Sequence, residues 1–177
     1  MPGDSTKDEG QSMKDHCIRF TAWKARAIRE GKATQTRRRV KVGTVTQLED
    51  GRWWPVGKRG KPLTCPYGEV GDILVVQEPW RPTQIFGRYE LASKHPDPDY
   101  DYSRWRPSHT MPILACDLKI RTTAISVARI QDITEEECLL EGVPNREAFE
   151  KVWGSIHGPL SWEENEWVFV ITFERHN

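Results

Sequence analysis

The chain has 177 residues, enough for one domain with a real core, and its 29% charged and 37% hydrophobic residues are those of an ordinary water-soluble protein. Its 26 basic and 26 acidic residues cancel, which argues against a generic polyanion binder and leaves only local clustering to carry such a signal. No stretch approaches the roughly 18 consecutive apolar residues of a membrane-crossing helix, and Met1–Asp15 lacks the apolar core of a secretory signal.

These features predict a disordered tail over residues 1–15 and a single domain over 16–177 in the cytoplasm, with no membrane partner. The four cysteines, at positions 17, 65, 116 and 138, have no CxxC spacing. They read as free thiols of a reducing compartment, with no metal site and no cofactor expected. The eight tryptophans are unusually many, and their flat side chains serve either a core or stacking on bases.

In chain order, Cys17, Ile18 and Phe20 predict a short strand. Thr21–Gly31 reads as a helix with Thr21 as N-cap and Gly31 as terminator. On it Trp23 and Ala27 share a face, while Lys24, Arg26 and Arg29 are expected to face solvent. Arg38–Val45 alternates weakly as a strand. Residues 47–63 read as an inserted hairpin carrying Trp53, Trp54 and Val56, with turns at Asp50-Gly51 and Arg59-Gly60.

Ile73–Val76 is a strand buried on both faces, and Phe86–Ala92 is another short strand. Residues 93–112 form a loop rich in Pro, Asp and Tyr. A long β-prone run fills Leu114–Ile130. Thr134 and Glu137 form a capping box for a helix ending at Gly142. Asn145–His157 repeats apolar residues at helical spacing, and Trp167–Phe173 closes the chain as a strand. The pattern is α+β: a small mixed β-barrel flanked by short helices.

The basic segment stands out. Between Lys24 and Lys41 lie eight cations and one acid, Glu30, giving a local charge of +7 in a neutral chain. Its turn Gly31–Arg39 (GKATQTRRR) combines arginines, which bind phosphate bidentately and stack on bases, with Thr34, Gln35 and Thr36, which can reach base edges or sugar. It is the expected working surface. Glu78 and Trp80, at the end of the Ile73 strand, are a candidate cleft wall, with Trp80 stacking on a base. The compensating acids crowd the late helices, where Glu141 is placed to turn inward toward the basic segment.

An ordered series of motifs resembles ASCH domains, particularly the larger versions common in phages and prophages. It runs through Gly31–Arg38 (GKATQTRR), Cys65–Asp72 (CPYGEVGD) leading to Val76–Trp80 (VQEPW), Trp105–Ser108 with Met111-Pro112, Gln131–Glu136 (QDITEE), Glu141–Val143 and Trp162–Phe173. The resemblance covers roughly residues 16–175. It implies a barrel related to the PUA RNA-binding fold, with a cleft lined by the Gly–Thr–Arg turn. It also implies an activity, since small members of the family hydrolyse the acetyl amide of N4-acetylcytidine with a Lys, a Thr and a Glu, and others bind or cleave RNA.

Carried over residue by residue, the Thr falls on Thr36, the Glu on Glu141 and the Lys on Ala33. Alanine cannot take a proton, so Lys32 is the substitute base. Three functions follow. The first is binding of RNA, single-stranded nucleic acid or a nucleotide through Thr34, Gln35, Arg37, Arg38, Glu78 and Trp80. The second is an amidohydrolase on an N4-acylated cytidine with Thr36, Glu141 and Lys32. The third is a metal-independent ribonuclease. Ala33 tips the balance to binding.

Overall fold

The computed structural model describes residues 16–41, 44–97 and 99–176, the side chain of Lys58 excepted; the tail expected over 1–15 lies outside them. Its strands are β1 (His16–Arg19), β2 (Gln35–Arg39), β3 (Val45–Gln47), β4 (Trp53–Pro55), β5 (Ile73–Gln77), β6 (Trp80–Pro82), β7 (Tyr89–Leu91), β8 (Lys119–Arg129) and β9 (Trp167–His176). The α-helices are α1 (Ala22–Arg29), α2 (Glu135–Leu140) and α3 (Arg146–His157). The class is α+β. A mixed five-stranded sheet runs in the order β1-β5-β8-β9-β2, with two small hairpins, β3-β4 and β6-β7.

β9 is the spine. Val168 and Val170 pack under α2 and α3 with Ile133, Cys138, Phe149 and Trp153. Phe169, Ile171 and Phe173 point to the opposite core, among Ile18, Phe20, Ile28, Leu74 and Ile120. The two-residue repeat of a strand thus divides one apolar run, WVFVITF, between two cores.

The expected barrel is not closed by a ladder. β1 and β2 are the outer strands of the order, and Arg38 Nη2 of β2 reaches the Arg19 carbonyl of β1, donating to it at 2.7 Å. A side chain, and not a strand ladder, links these two strands.

The inserted hairpin is present as β3-β4. Trp53 packs against Trp167 at 5.8 Å between ring centroids, Trp54 meets Phe169 at 5.8 Å, and Trp54 Nε1 donates to the Leu63 carbonyl. Both indoles therefore cover the sheet. The loop expected over residues 93–112 is organised by Trp105, which is buried against Tyr100 and Tyr102. The strand expected over Phe86–Ala92 shrinks to Tyr89–Leu91, and Phe86 is fully exposed.

Three junctions position the site. α2 opens with the expected capping box, in which Thr134 and Glu137 each bond the other's backbone N–H. It ends at Glu141 and Gly142, the latter at φ +83°. There the Thr34 N–H donates to the Leu140 carbonyl at 2.8 Å, tying the start of β2 to the end of α2. A Cβ added at Gly142 would lie 3.2 Å from the Cβ atoms of Ala27 and Ala33. The left-handed backbone and this close approach act together, so Gly142→Ala is expected to cost about 1–2 kcal/mol in thermal or urea unfolding.

Candidate functional site

β2 begins inside the basic segment, three residues earlier than the sequence suggests. Gln35–Arg39 is a strand paired antiparallel with β9, Thr36 opposite Ile171 and Arg37 opposite Val170. Strand alternation then sorts the segment. Arg37 faces α2 and α3, where its guanidinium lies 5.9 Å from the Phe149 ring centre. Arg38 faces β1, over the Phe20 ring at 4.8 Å.

Thr36 and Arg37 are buried, so this stretch is cleft wall and core rather than an exposed turn. Thr34 and Gln35 are held by the sheet. The Thr34 carbonyl accepts from the Phe173 N–H at 2.8 Å, and Gln35 Nε2 donates to Thr172 Oγ1 at 3.2 Å.

The central feature is Lys24. Expected in solvent, it is only 4% exposed, whereas Trp23 is 38% exposed. Lys24 Nζ donates to Glu141 Oε2 at 2.7 Å, to the Glu141 carbonyl at 2.5 Å and to the Gln35 carbonyl at 2.7 Å. Two of these acceptors come from Glu141 at the end of α2, where helix carbonyls lack internal partners and a cation is favoured.

The other Glu141 oxygen, Oε1, accepts from Arg37 Nη1 at 3.1 Å. Arg37 also pairs with Glu137 at 2.9 Å and donates to Gln35 Oε1 at 2.8 Å. Burial lowers the Lys24 pKa below the usual lysine value; Glu141 opposes that shift, and Arg38 and Arg37 add to it.

Lys24, Thr36 and Glu141 line one cleft of about 360 Å³, together with Arg37, Arg38 and an aromatic wall from Phe20, Trp23, Phe149 and Trp153. That volume lies within the range of small-molecule sites. His157 also lines it, and burial pushes its ring below the usual histidine pKa.

Lys32, the substitute base expected from sequence, is elsewhere. Its side chain is 72% exposed and paired with Glu30 at 2.7 Å. Ala33 is buried in the core. The backbone vector at 32 points out of the turn, and the cleft amine comes instead from the preceding helix. A signal for this exists in the sequence: Lys24, Ala27 and Ile28 stand at i, i+3 and i+4, on the buried stripe of α1.

Glu78 and Trp80 also lie outside the cleft lining, to which only the intervening Pro79 contributes. Glu78 accepts from Arg29 Nη2 at 2.9 Å and from the Ser93 N–H at 2.6 Å. Trp80 is buried, edge-on to Tyr89, with its indole N–H on Thr110 Oγ1 at 3.1 Å.

The local charge of +7 is largely neutralised. Lys24, Arg29, Lys32, Arg37 and Arg39 each hold a carboxylate, from Glu141, Glu78 and Asp117, Glu30, Glu137 and Glu141, and Glu164 and Glu166 respectively. Among the described residues no helix is long and apolar enough to cross a membrane.

No protein-family model matches the chain, and no curated protein does. Two solved structures are similar. One is protein EF3133 from Enterococcus faecalis V583, of the DUF984 family, at 12% identity and TM-score 0.43, covering 85% of this chain and 68% of that one. The other is an ASCH domain from Lactobacillus crispatus JV V101, at 12% identity and TM-score 0.40, covering 86% and 70%.

Proposed function

We propose that the cleft binds a nucleoside of the N4-acylated cytidine type and hydrolyses its acyl amide, with Thr36 as nucleophile, Lys24 as base and Glu141 as the group that holds and relays the proton. The observation that carries this reading is the buried Lys24–Glu141 pair in the same cleft as Thr36. The amine absent at position 33 is supplied from α1. The motif resemblance to ASCH domains of phage type suggests the reaction class. The aromatic wall suits a stacked base. Two of the cleft's cations, Lys24 and Arg37, are held by carboxylates, which favours one compact ligand over a long polyanion there.

Transfer of a proton from the Lys24 ammonium to the Glu141 carboxylate leaves a neutral amine. That amine takes the Thr36 hydroxyl proton as Oγ1 attacks the acyl carbon. The amide C–N bond breaks, the exocyclic nitrogen receives the proton, and an acyl ester remains on Thr36. Water then cleaves the ester to a carboxylic acid and free Thr36.

A second reading, binding without turnover, is favoured by one observation. The three acceptors on Lys24 match the three protons of an ammonium and hold it charged.

Acid quench of the protein with N4-acetylcytidine, followed by peptide mapping, separates the two. The hydrolase reading expects an acetyl group on Thr36 that is absent from Thr36→Ala. Binding with no adduct and no cytidine release supports the second reading.

A further inference from the structure

The cleft does not end at Arg38. Beyond it lies a second cavity of about 600 Å³, which shares Arg19 and Arg38 with the first and adds Cys17, Arg39, Lys41 and Tyr67 to its wall. No aspartate or glutamate lines it. Arg39 is held by Glu164 and Glu166, but Arg19, Arg38 and Lys41 have no carboxylate partner among the described residues. Three cations without a carboxylate partner thus converge on one acid-free cavity.

Arg38 is also prepared for a ligand. Its guanidinium lies 4.8 Å from the Phe20 ring centre and 5.7 Å from that of Tyr67. One nitrogen, Nη2, is anchored on the Arg19 carbonyl, while Nε is buried without a hydrogen-bond partner. A planar guanidinium fixed by two rings, with a donor left over, matches the geometry by which arginine takes a phosphate. An unsatisfied buried donor carries a cost that such an acceptor would remove.

We infer that the second cavity is a phosphate subsite, so that the ligand is a nucleoside bearing a phosphate on its sugar. The base occupies the first cleft and the phosphate meets Arg19, Arg38 and Lys41 across the seam between β1 and β2. This rests on the first cleft being a nucleoside site, and it deepens that reading from free nucleoside to nucleotide. The phosphate is either the monoester of a free nucleotide or the diester of a single strand; both present the same anionic oxygens to the seam.

Calorimetric titration of the full chain with cytidine, cytidine 3′- and 5′-monophosphate, a cytidine trinucleotide and inorganic phosphate tests this. A phosphorylated ligand is expected to bind on the order of tenfold tighter than cytidine. The gain should shrink in high salt and be lost in Arg38→Gln. Lys41→Glu, at a residue that lines the second cavity and not the first, should remove most of it while leaving cytidine affinity unchanged. A gain with a monophosphate identifies the monoester, and a gain confined to the trinucleotide identifies the strand; either supports the subsite.

Equal affinity for cytidine and every phosphorylated ligand overturns the subsite and leaves the nucleoside cleft standing, as does a gain that survives both substitutions. If cytidine fails to bind but inorganic phosphate binds in an Arg38-dependent way, the cleft reading falls and the subsite stands. If no ligand binds, both fall.

Discussion

Replacing Lys24 by methionine is expected to lower the rate of N4-acetylcytidine hydrolysis by about 10²–10⁴-fold, the loss typical of removing a general base. Methionine keeps the length and apolar stem of the side chain while deleting the amine, so packing of α1 on the sheet should survive. Three acceptors lose their partner, the carbonyls of Gln35 and Glu141 and one Glu141 oxygen, at a stability cost of about 1–3 kcal/mol.

The pH profile separates chemistry from structure. Once Lys24 loses its proton to solvent the neutral amine no longer depends on transfer to Glu141, so kcat/KM of the native protein should rise with pH through a pKa below the usual lysine value, the direction in which burial moves Lys24. Lys24→Met should lack that limb. Steady-state kinetics across pH, with circular dichroism to confirm folding, measures both. A folded Lys24→Met variant with native turnover would remove Lys24 from the mechanism.

The second large effect is on stability. Glu141→Ala strips from Lys24 its only carboxylate among the described residues, while Arg37 keeps Glu137. Leaving a buried cation unpaired typically costs about 3–5 kcal/mol, and urea unfolding near neutral pH should show a loss of that order. Glu141→Gln, which still offers an acceptor oxygen, should lose less.

The sign of the pH dependence follows from linkage. Without Glu141, the folded-state pKa of Lys24 drops further below its unfolded value, so the unfolded chain binds the extra proton. The Glu141→Ala variant should therefore regain stability, relative to the native protein, as pH rises toward the ordinary lysine value of about 10.4. A deficit that stays constant over that range would show that the Lys24 charge is not its source.

Much of the frame is legible in the sequence itself. Thr134 and Glu137 mark α2, the apolar spacing from Ala148 to Trp153 marks α3, and the run from Ile73 marks β5, because capping and periodicity are local signals. β2 is hidden for the opposite reason. Gln35–Arg39 has the composition of a solvated turn, and only pairing with β9 and the acids of α2 and the 164–166 turn make it a buried strand. Tertiary context overrides the local signal.

The site is legible in part. Thr36 and Glu141, singled out by their motif positions, both line one cleft. The lysine that lines this cleft, Lys24, comes from α1, whose long side chain reaches a place that Lys32 of the neighbouring turn does not. Glu78 stands out for its sequence neighbours, while its true partners, Arg29 and Ser93, come from other segments. Pairing across such separations leaves no periodic trace in a single sequence.

The most direct test of the central claim is the time course of cytidine release from N4-acetylcytidine by the native protein beside Thr36→Ala and Lys24→Met. A cleft that works through Lys24, Thr36 and Glu141 predicts steady release by the native chain and near-background rates for both folded variants. Release by the native protein that is no faster than by Thr36→Ala would contradict it.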